Sequence, residues 1–317
     1  MKIPKFNIII RESNRIALKF NFKIPNKDRE ELSNKNLSSL TKNYSIEVMP
    51  RTAEKITDFT AILPKNTYIY VAHLEGTEIS SMLATSKRLE RLGYNVVPHF
   101  PARIIDSKNL LEVWLKNYSD IGIKKGLILA GSPKKAIGEF EDSMGLLSTG
   151  LFDKYGFNEL FCAGHPEGNK DIDLDGSEIN LMEAIRWKHE FSHRTQIPIS
   201  LTTQFCFDIE PIARWEKRLT EANINMPLNI GVAGPAKLQT MIKYALMCGV
   251  GPSIRVLEKR AKDLTKLLLP YSPIKFLKAL SDYKDRNIHS KINSIHFFPL
   301  GGIIKTTEFL SKINKEN

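Results

Sequence analysis

One glutamate stands inside a short segment that is otherwise suited to a protein core. Glu47 lies in the run Tyr44–Met49, which is rich in apolar and β-branched residues and is followed by Pro50. Such a run predicts a short buried strand. Burial disfavours a charged carboxylate and raises its pKa, so Glu47 is a candidate general acid near neutral pH. The alternative is a carboxylate at a strand end that a nearby lysine or arginine neutralises.

Further polar groups follow other apolar runs, at the points where those runs end. These groups are His99, Gly131 with Ser132, the segment Gly164–Asn169, Gln204 with Asp208, and Gly234 with Pro235. Glycines there allow backbone N–H groups to approach a ligand closely, and the N-terminus of a following helix favours a phosphate. A lone histidine is more often structural, and a glycine usually marks a turn. These residues therefore indicate a site only if the fold gathers them.

Eight apolar, β-rich runs provide the elements that would gather these residues. The runs are Tyr44–Met49, Tyr68–His73, Asn95–Phe100, Gly126–Gly131, Glu159–Gly164, Ile199–Phe205, Asn229–Gly234 and Ser294–Leu300. Segments with helical periodicity lie between them, and strands that alternate with helices predict parallel βα units. Eight units predict an α/β fold, the closed (β/α)8 TIM barrel, with its site at the carboxyl ends of the strands. The alternative is an open doubly wound sheet, but its Gly-rich dinucleotide fingerprint is absent after the first strand.

Helices are predicted from stripes of apolar residues and from capping signals. Their ranges are Asp28–Leu40, Thr77–Leu92, Ser107–Tyr118, Ile179–Phe191, Pro211–Ala222, Lys237–Met247, Pro252–Leu268 and Pro273–Tyr283. We expect Thr77 to cap one helix start, Gly93 to follow the end of that helix, and Asp208 to cap the start of another. We expect residues 1–317 to form one barrel domain. It would have an N-terminal helical extension over 1–43, the barrel over 44–317, and extra helices between strands seven and eight.

The composition is that of an ordinary globular chain, since 42% of the 317 residues are hydrophobic and 26% are charged. The net charge is +11, but the basic residues are scattered, so we expect a small anionic ligand and no nucleic-acid partner. No apolar run approaches about 18 residues and no signal peptide is recognised, so no membrane segment is predicted. Cys162, Cys206 and Cys248 are too scattered for a disulfide framework, which fits a cytoplasmic protein. No metal site is predicted.

Five motifs occur in the same order as in methylenetetrahydrofolate reductases, and over residues 44–300 the chain resembles that family. The motifs are Ser45–Thr52 with a Glu-x-x-Pro-Arg-Thr pattern, Pro98-His99, His165–Asn169 for Tyr-Pro-Glu-Gly-His, Thr203–Asp208 with a Thr-Gln-Phe-x-Phe-Asp pattern, and His296-Phe297-Phe298. Members of that family are flavin-dependent (β/α)8 barrels. They use one face of the flavin for both reaction partners, so the resemblance implies no separate dinucleotide-binding domain.

The resemblance also implies roles for individual residues. Glu47 would be the general acid that protonates the pterin side of the substrate as its one-carbon bridge opens to an iminium. The substrate site would comprise Gln204, Phe205 and Gln239. The FAD site would comprise His99, Gly131, Ser132, Gly164, His165, Glu167, Asn169 and Lys188, although the spacing also allows His193 in place of Lys188.

The reaction that the family catalyses follows from the same resemblance. Hydride would pass from a reduced nicotinamide such as NADH through FAD to 5,10-methylene-tetrahydrofolate, giving 5-methyl-tetrahydrofolate for methionine biosynthesis. Flavin supplies the hydride chemistry, so the protein need only position rings and tune charge. A homo-oligomer is compatible with the resemblance.

Some motif positions depart from the family pattern. Leu129-Ala130-Gly131-Ser132 stands where the family has Arg-Gly-Asp, His165 replaces a tyrosine and Asn169 replaces a histidine. A missing carboxylate beside the flavin changes its potential or its folate contact. Three functions therefore stay open. They are the reductase, a relative that uses another electron donor or the oxidative direction in one-carbon catabolism, and a non-catalytic folate-binding barrel.

Overall fold

Eight parallel strands close into a barrel in the computed structural model, which describes residues 37–247 and 271–315. The strands are β1 (Ser45–Val48), β2 (Tyr68–Val71), β3 (Asn95–Pro101), β4 (Lys125–Leu129), β5 (Glu159–Gly164), β6 (Ile199–Cys206), β7 (Leu228–Ala233) and β8 (Ile292–Phe298). The first and last strands pair in parallel, with Ser45 opposite His296. The predicted (β/α)8 TIM barrel is therefore confirmed.

Helices follow the strands around the barrel. They are α1 (Pro50–Ala53), α2 (Ile79–Arg91), α3 (Lys108–Asp120), α4 (Ser143–Ser148), α5 (Leu151–Lys154), α6 (Ile179–Thr195), α7 (Ile209–Glu221), α8 (Leu238–Met247), α9 (Ile274–Arg286) and α10 (Ile303–Lys315). A further helical segment covers 37–42, the end of the predicted helix Asp28–Leu40. The rest of that helix, most of the extension over 1–43, the predicted helix Pro252–Leu268 and Cys248 lie outside the described residues.

The predicted helix ends are confirmed at two points and wrong at one. The Asp208 side chain accepts from the N–H of Glu210 at the start of α7, and Gly93 follows α2 with a φ of +84°. The expectation that Thr77 caps α2 is wrong, because the N-cap position is Glu78 and its side chain makes no capping hydrogen bond. The carbonyl of Thr77 instead lies 2.9 Å from Nε2 of His73.

Two apolar layers result from the alternation of side chains along the strands. Ile46, Val48 and similar residues face outward and join the large core beneath the helices. Tyr70, Val97, Leu127 and Phe161 form a separate cluster within the barrel. Because successive strand residues point to opposite faces, the same alternation that buries Ile46 and Val48 outward turns Glu47 inward.

The barrel is irregular at β6, where one extra residue interrupts the pairing with β7. Thr202 pairs with Asn229, whereas Phe205 pairs with Gly231, so three steps on β6 match two on β7. The N–H of Gly231 donates to Oγ1 of Thr203 at 2.8 Å. A Cβ atom on Gly231 would lie 2.4 Å from the carbonyl oxygen of Gln204. Glycine is therefore required opposite this β-bulge, which redirects the chain just before the end of β6.

No helix in the described part of the chain combines the length and the apolar character needed to cross a membrane.

Candidate functional site

Glu47 on β1 lies between two histidines inside the barrel, and we call these three residues the Glu47 cluster. Oε2 of Glu47 is 3.5 Å from Nε2 of His99 on β3 and 3.9 Å from Nε2 of His296 on β8. Both imidazoles are buried, while 22% of the Glu47 side chain stays exposed. Strands β3, β1 and β8 thus bring an acid and two bases from distant parts of the chain to one point that a ligand can reach.

His296 is held in a fixed orientation by its neighbours. Its Nδ1 atom lies 2.8 Å from Oγ of Ser45, two residues before Glu47 on β1. The ring of Tyr70 lies against it, with centroids 4.3 Å apart, and the Tyr70 hydroxyl is 3.3 Å from Oγ1 of Thr202. Because Nδ1 is engaged by Ser45, Nε2 is the nitrogen that faces Glu47.

The pKa of Glu47 departs from the sequence-based expectation of an elevated value. Burial raises the pKa of this carboxyl, but the attraction of the nearby His296 and His99 imidazoles outweighs that effect and lowers the pKa. An elevated pKa was expected from the apolar run around Glu47, whereas His99 and His296 come from other strands that the fold places beside it. Burial lowers the pKa of His99 to about 4, even though Glu47 works in the opposite direction. At neutral pH the pair is therefore a carboxylate beside a neutral imidazole.

This arrangement can exchange a proton with a bound molecule. Nε2 of His99 is buried and has no hydrogen-bond partner, which is costly unless a ligand or a proton satisfies it. A ligand that covers the exposed part of Glu47 removes water from the carboxylate and raises its pKa. The Glu47 cluster is thus ionised when open and takes up a proton more easily when covered.

Aromatic side chains form one wall beside β6. Phe205 is buried, with its ring centroid 5.8 Å from Phe207 and 5.5 Å from Phe298. The side-chain oxygen of the half-buried Gln204 accepts from the N–H of Phe205 at 3.1 Å, which leaves its amide N–H groups for a ligand. Gln239 is exposed in the first turn of α8. The β-bulge on β6 is the local feature that sets the position of Gln204.

A buried lysine on α6 lies near the end of β5. Lys188 on α6 is buried, close enough to His165 and Cys162 for its charge to act on both. Burial and, to a smaller extent, the charge of Lys188 together lower the pKa of His165 to about 4. Within residues 37–247 and 271–315 no hydrogen bond or ion pair satisfies the Lys188 ammonium. His193, the alternative to Lys188, lies on an exposed face of α6.

The first N–H groups of α6 are already satisfied. The carboxylate of Asp173 accepts from the N–H groups of Asn180 at 3.0 Å and Leu181 at 3.1 Å. Asn169 accepts from the N–H of Asp171 at 2.9 Å and so stabilises the same loop. Packing requires glycine at position 164, because a Cβ atom there would lie 2.7 Å from the ring of Trp215. An anion near this loop would therefore meet Lys188 rather than free helix donors.

The end of β4 is open. Gly131 has a φ of +98°, and a Cβ atom on it would lie 3.0 Å from Pro101. Ser132, which follows, is exposed. Glu167 is half-buried in the loop after β5.

Three residues of this site were missed in the sequence analysis. Ser45 and His296 lie within quoted motifs but received no role, and Tyr70 was treated as part of an apolar strand. Side chains alternate between the two faces of a strand, so Tyr70 on β2 and His296 on β8 could have been predicted to point into the barrel. The pairing of β1 with β8 across the closed barrel was needed to place Ser45 beside His296.

Fold and site together define a (β/α)8 barrel with a carboxylate–imidazole cluster inside it. No protein-family model matches the chain. Methylenetetrahydrofolate reductase 1 of Schizosaccharomyces pombe is 26% identical over 151 residues, which are 45% of this chain and 24% of that protein. This chain therefore aligns with about a quarter of the length of that relative.

One solved structure shares the fold of this chain. An uncharacterized protein from Clostridium thermocellum, which binds two copies of 5-methyl-5,6,7,8-tetrahydrofolic acid, has a TM-score of 0.55 at 9% identity and covers 89% of this chain and 99% of its own. Dihydropteroate synthase from Thermus thermophilus has a TM-score of 0.41 at 12% identity, over 87% of this chain and 94% of its own. At this identity the first likeness shows the fold alone.

Proposed function

We propose that this protein is a folate-dependent oxidoreductase that interconverts 5,10-methylene-tetrahydrofolate and 5-methyl-tetrahydrofolate. The Glu47 cluster is the observation that carries the proposal. It supplies a reachable carboxylate, a neutral imidazole without a partner and an aromatic wall, which suit a flat heterocycle that gains or loses a proton. The aligned reductase of Schizosaccharomyces pombe and the folate-binding barrel of Clostridium thermocellum support the choice of substrate class.

The residues around Lys188 fit FAD. Lys188 is a buried cation with no counter-charge among the described residues, and a diphosphate would supply that counter-charge. His165 lies beside Lys188, while His99 presents its unpartnered Nε2. We assign Gly131, Ser132, Gly164, Glu167 and Asn169 to the rim of the same cofactor site. When bound, FAD would supply hydride transfer.

Glu47 is the residue that takes up and donates the proton in this proposal. A pterin seated beside Gln204 and the half-buried Phe298, which the buried Phe205 supports from behind, covers the carboxylate, removes water from it and raises its pKa, so Glu47 takes up a proton. Because the product carries its methyl group on N5, Glu47 then donates this proton to the other bridge nitrogen, N10, as the bond between the bridging carbon and N10 breaks and the iminium forms at N5. His99 and His296 stabilise the carboxylate that remains. Gln204 orients the pterin through its amide, and Gln239 binds an outer part of the substrate.

The lowered pKa of Glu47 favours a second candidate, which is the same reaction in the oxidative direction. An ionised carboxylate in the free protein is ready to accept a proton, as the reverse reaction requires. Ser132 gives an independent reason to consider the oxidative direction. The carboxylate that it replaces would lie near the flavin, and its loss changes the reduction potential of the flavin and therefore the electron partner that suits it. NADH as the donor is the first partner to test.

The test is a spectrum of the purified full-length protein after reconstitution with FAD. Bound flavin that is bleached by NADH and reoxidised by 5,10-methylene-tetrahydrofolate is the expected result. Flavin that 5-methyl-tetrahydrofolate reduces, while NADH does not, would select the oxidative candidate. Folate binding by calorimetry with no flavin retained would overturn the oxidoreductase and leave a folate-binding barrel.

A further inference from the structure

Two histidines meet on the outer surface of α6, away from the Glu47 cluster. His189 and His193 are four residues apart, and their Nε2 atoms lie 3.2 Å from each other. Their rings are nearly perpendicular, at 86°, with centroids 4.5 Å apart. His189 is half-buried and His193 is exposed, so solvent reaches the space in front of both nitrogens.

The pair lies at the end of the barrel opposite the Glu47 cluster. Nε2 of His189 is 3.4 Å from the N–H of Asn225, in the connection that leads into the amino end of β7. Glu47, by contrast, lies toward the carboxyl end of β1. The two histidines therefore take no part in the proposed folate chemistry, and the assignment of His193 to a cofactor phosphate is not supported by this position.

The distance between the two nitrogens is the span required by one metal ion. Nitrogen ligands bind Zn²⁺ at about 2.0–2.1 Å, which places two such ligands about 2.9–3.4 Å apart for bond angles between 90° and tetrahedral. The observed 3.2 Å falls inside this interval. Histidines at i and i+4 share one helix face, so the helix itself fixes this spacing.

The alternative to a metal is a hydrogen bond between the two rings. In two neutral imidazoles, one Nε2 must carry a proton and the other must accept it, which forces different tautomers. Nε2 of His189 also accepts a hydrogen bond from the N–H of Asn225, but this bond is long, at 3.4 Å. A metal ion instead uses the lone pairs of both Nε2 atoms and leaves one proton on each Nδ1 atom, so both rings adopt the same tautomer.

We propose that His189 and His193 form a bidentate surface site for a divalent transition metal ion that prefers imidazole, such as Cu²⁺, Ni²⁺ or Zn²⁺. Among the described residues no group of three or more histidine, cysteine or acidic side chains could hold a metal. Water therefore completes the coordination, and the site keeps open positions. Imidazole ligands select these ions over Mg²⁺ and Ca²⁺, which prefer oxygen.

The experiment titrates the untagged full-length protein with Ni²⁺, and in parallel with Cu²⁺ and Mg²⁺, by calorimetry. One equivalent of Ni²⁺ should bind, Cu²⁺ should bind more tightly, and Mg²⁺ should give no heat at the same concentrations. His193→Gln and His189→Gln should each raise the Kd for Ni²⁺ about tenfold or more, because a single imidazole loses the chelate advantage. His289→Gln is the matched control, since His289 is also exposed but lies in the loop after α9.

Two outcomes would overturn the site. One is an unchanged Kd in both helix variants, and the other is an equal loss in His289→Gln. Circular dichroism of each variant should match the parent protein, because both rings lie on the outside of α6. The electron paramagnetic resonance spectrum of bound Cu²⁺ gives an independent reading, with hyperfine structure from two nitrogens expected in the parent protein. A spectrum with no nitrogen coupling would contradict the proposal without reference to affinity.

Discussion

Nε2 of His99 lies 3.5 Å from Oε2 of Glu47, and that nitrogen has no hydrogen-bond partner. Burial lowers the pKa of this imidazole to about 4, so at neutral pH the carboxylate faces an uncharged ring. One proton entering this pair can be shared between the two groups, which titrate as a unit. The consequences of this relationship can be measured.

The variant Glu47→Gln tests the proton role directly. The amide keeps the shape of the side chain but cannot donate an acidic proton, so folate turnover should fall by about 10²–10⁴-fold. Flavin reduction by the electron donor should stay within twofold of the parent protein, as measured by stopped-flow absorbance. Glu54→Gln, at an exposed position just after α1, is the control. Equal losses in both half-reactions would contradict a proton role.

The variant His296→Gln should raise the pKa of Glu47. It removes an imidazole that lies 3.9 Å from the carboxylate and favours its ionised form, and it leaves the burial that raises the pKa. In the direction that needs a protonated Glu47, the basic limb of the kcat/KM profile should therefore move to higher pH. Ser45→Ala removes only the hydroxyl that is 2.8 Å from Nδ1 of His296, so it should move the limb the same way by less. A shift of the basic limb toward lower pH in either variant would contradict the inference that His296 lowers the pKa of Glu47.

Stability should fall as the pH is lowered from about 6.5 toward 4. His99 and His165 have folded-state pKa values near 4, against 6.5 in an unfolded chain. Between those values the unfolded chain binds protons that the folded protein does not, so acid favours unfolding. Each histidine contributes a slope of up to about 1.4 kcal/mol per pH unit.

Urea midpoints at pH 7.5, 6 and 5 measure this slope. His165→Gln should make the midpoint less dependent on pH, because one of the two imidazoles no longer titrates. His289→Gln, at an exposed loop position, should retain the parent slope. Midpoints that rise toward pH 5 in the parent protein would mean that these histidines are not buried as described.

Replacing Lys188 should weaken FAD binding while leaving the free protein folded. Lys188→Met fills the same buried space and removes only the charge that would face a phosphate. The loss of the phosphate partner should cost about 2 kcal/mol, or roughly thirtyfold in the Kd for FAD. Fluorescence titration measures the Kd, and thermal unfolding checks that the variant stays folded. Lys116→Met on the exposed face of α3 serves as the control, and an equal loss of FAD affinity in both variants would contradict the role of Lys188.

Gly231→Ala should destabilise the barrel at the β-bulge. The new methyl group would lie 2.4 Å from a backbone oxygen of β6, so the strands must separate, at a cost of about 1–3 kcal/mol. Gly145→Ala in α4 is the matched control, because its nearest neighbour is 3.5 Å away and alanine favours a helix by about 0.5–1 kcal/mol. Chemical unfolding of both variants measures the difference, and similar midpoints would argue against a tight β-bulge.

The eight-stranded barrel could be predicted because an apolar, β-rich run marks each strand locally. β5 has the predicted range, and β3 extends one residue further, to Pro101. Two short helices between β4 and β5 and the final helix Ile303–Lys315 were not anticipated. The first two are only 6 and 4 residues long, too short for a periodic pattern to stand out.

The chemistry of the site was less predictable than its position. Glu47 was recognisable as an inward carboxyl in an apolar strand, but its pKa depends on imidazoles that lie 52 and 249 residues further along the chain. The residues next to Glu47 in sequence therefore cannot predict its pKa. The β-bulge that positions Gln204 depends likewise on Gly231, which belongs to a different strand.

The seam between β1 and β8 has a consequence for folding. Ser45 and His296 are 251 residues apart in sequence, yet they contact each other only where the first and last strands pair. The proton-handling group is therefore incomplete on any partly folded chain that has not yet closed its barrel. In a refolding experiment, recovery of folate turnover should coincide with ring closure and lag behind the return of helical signal. Activity would then serve as a measure of barrel closure during refolding.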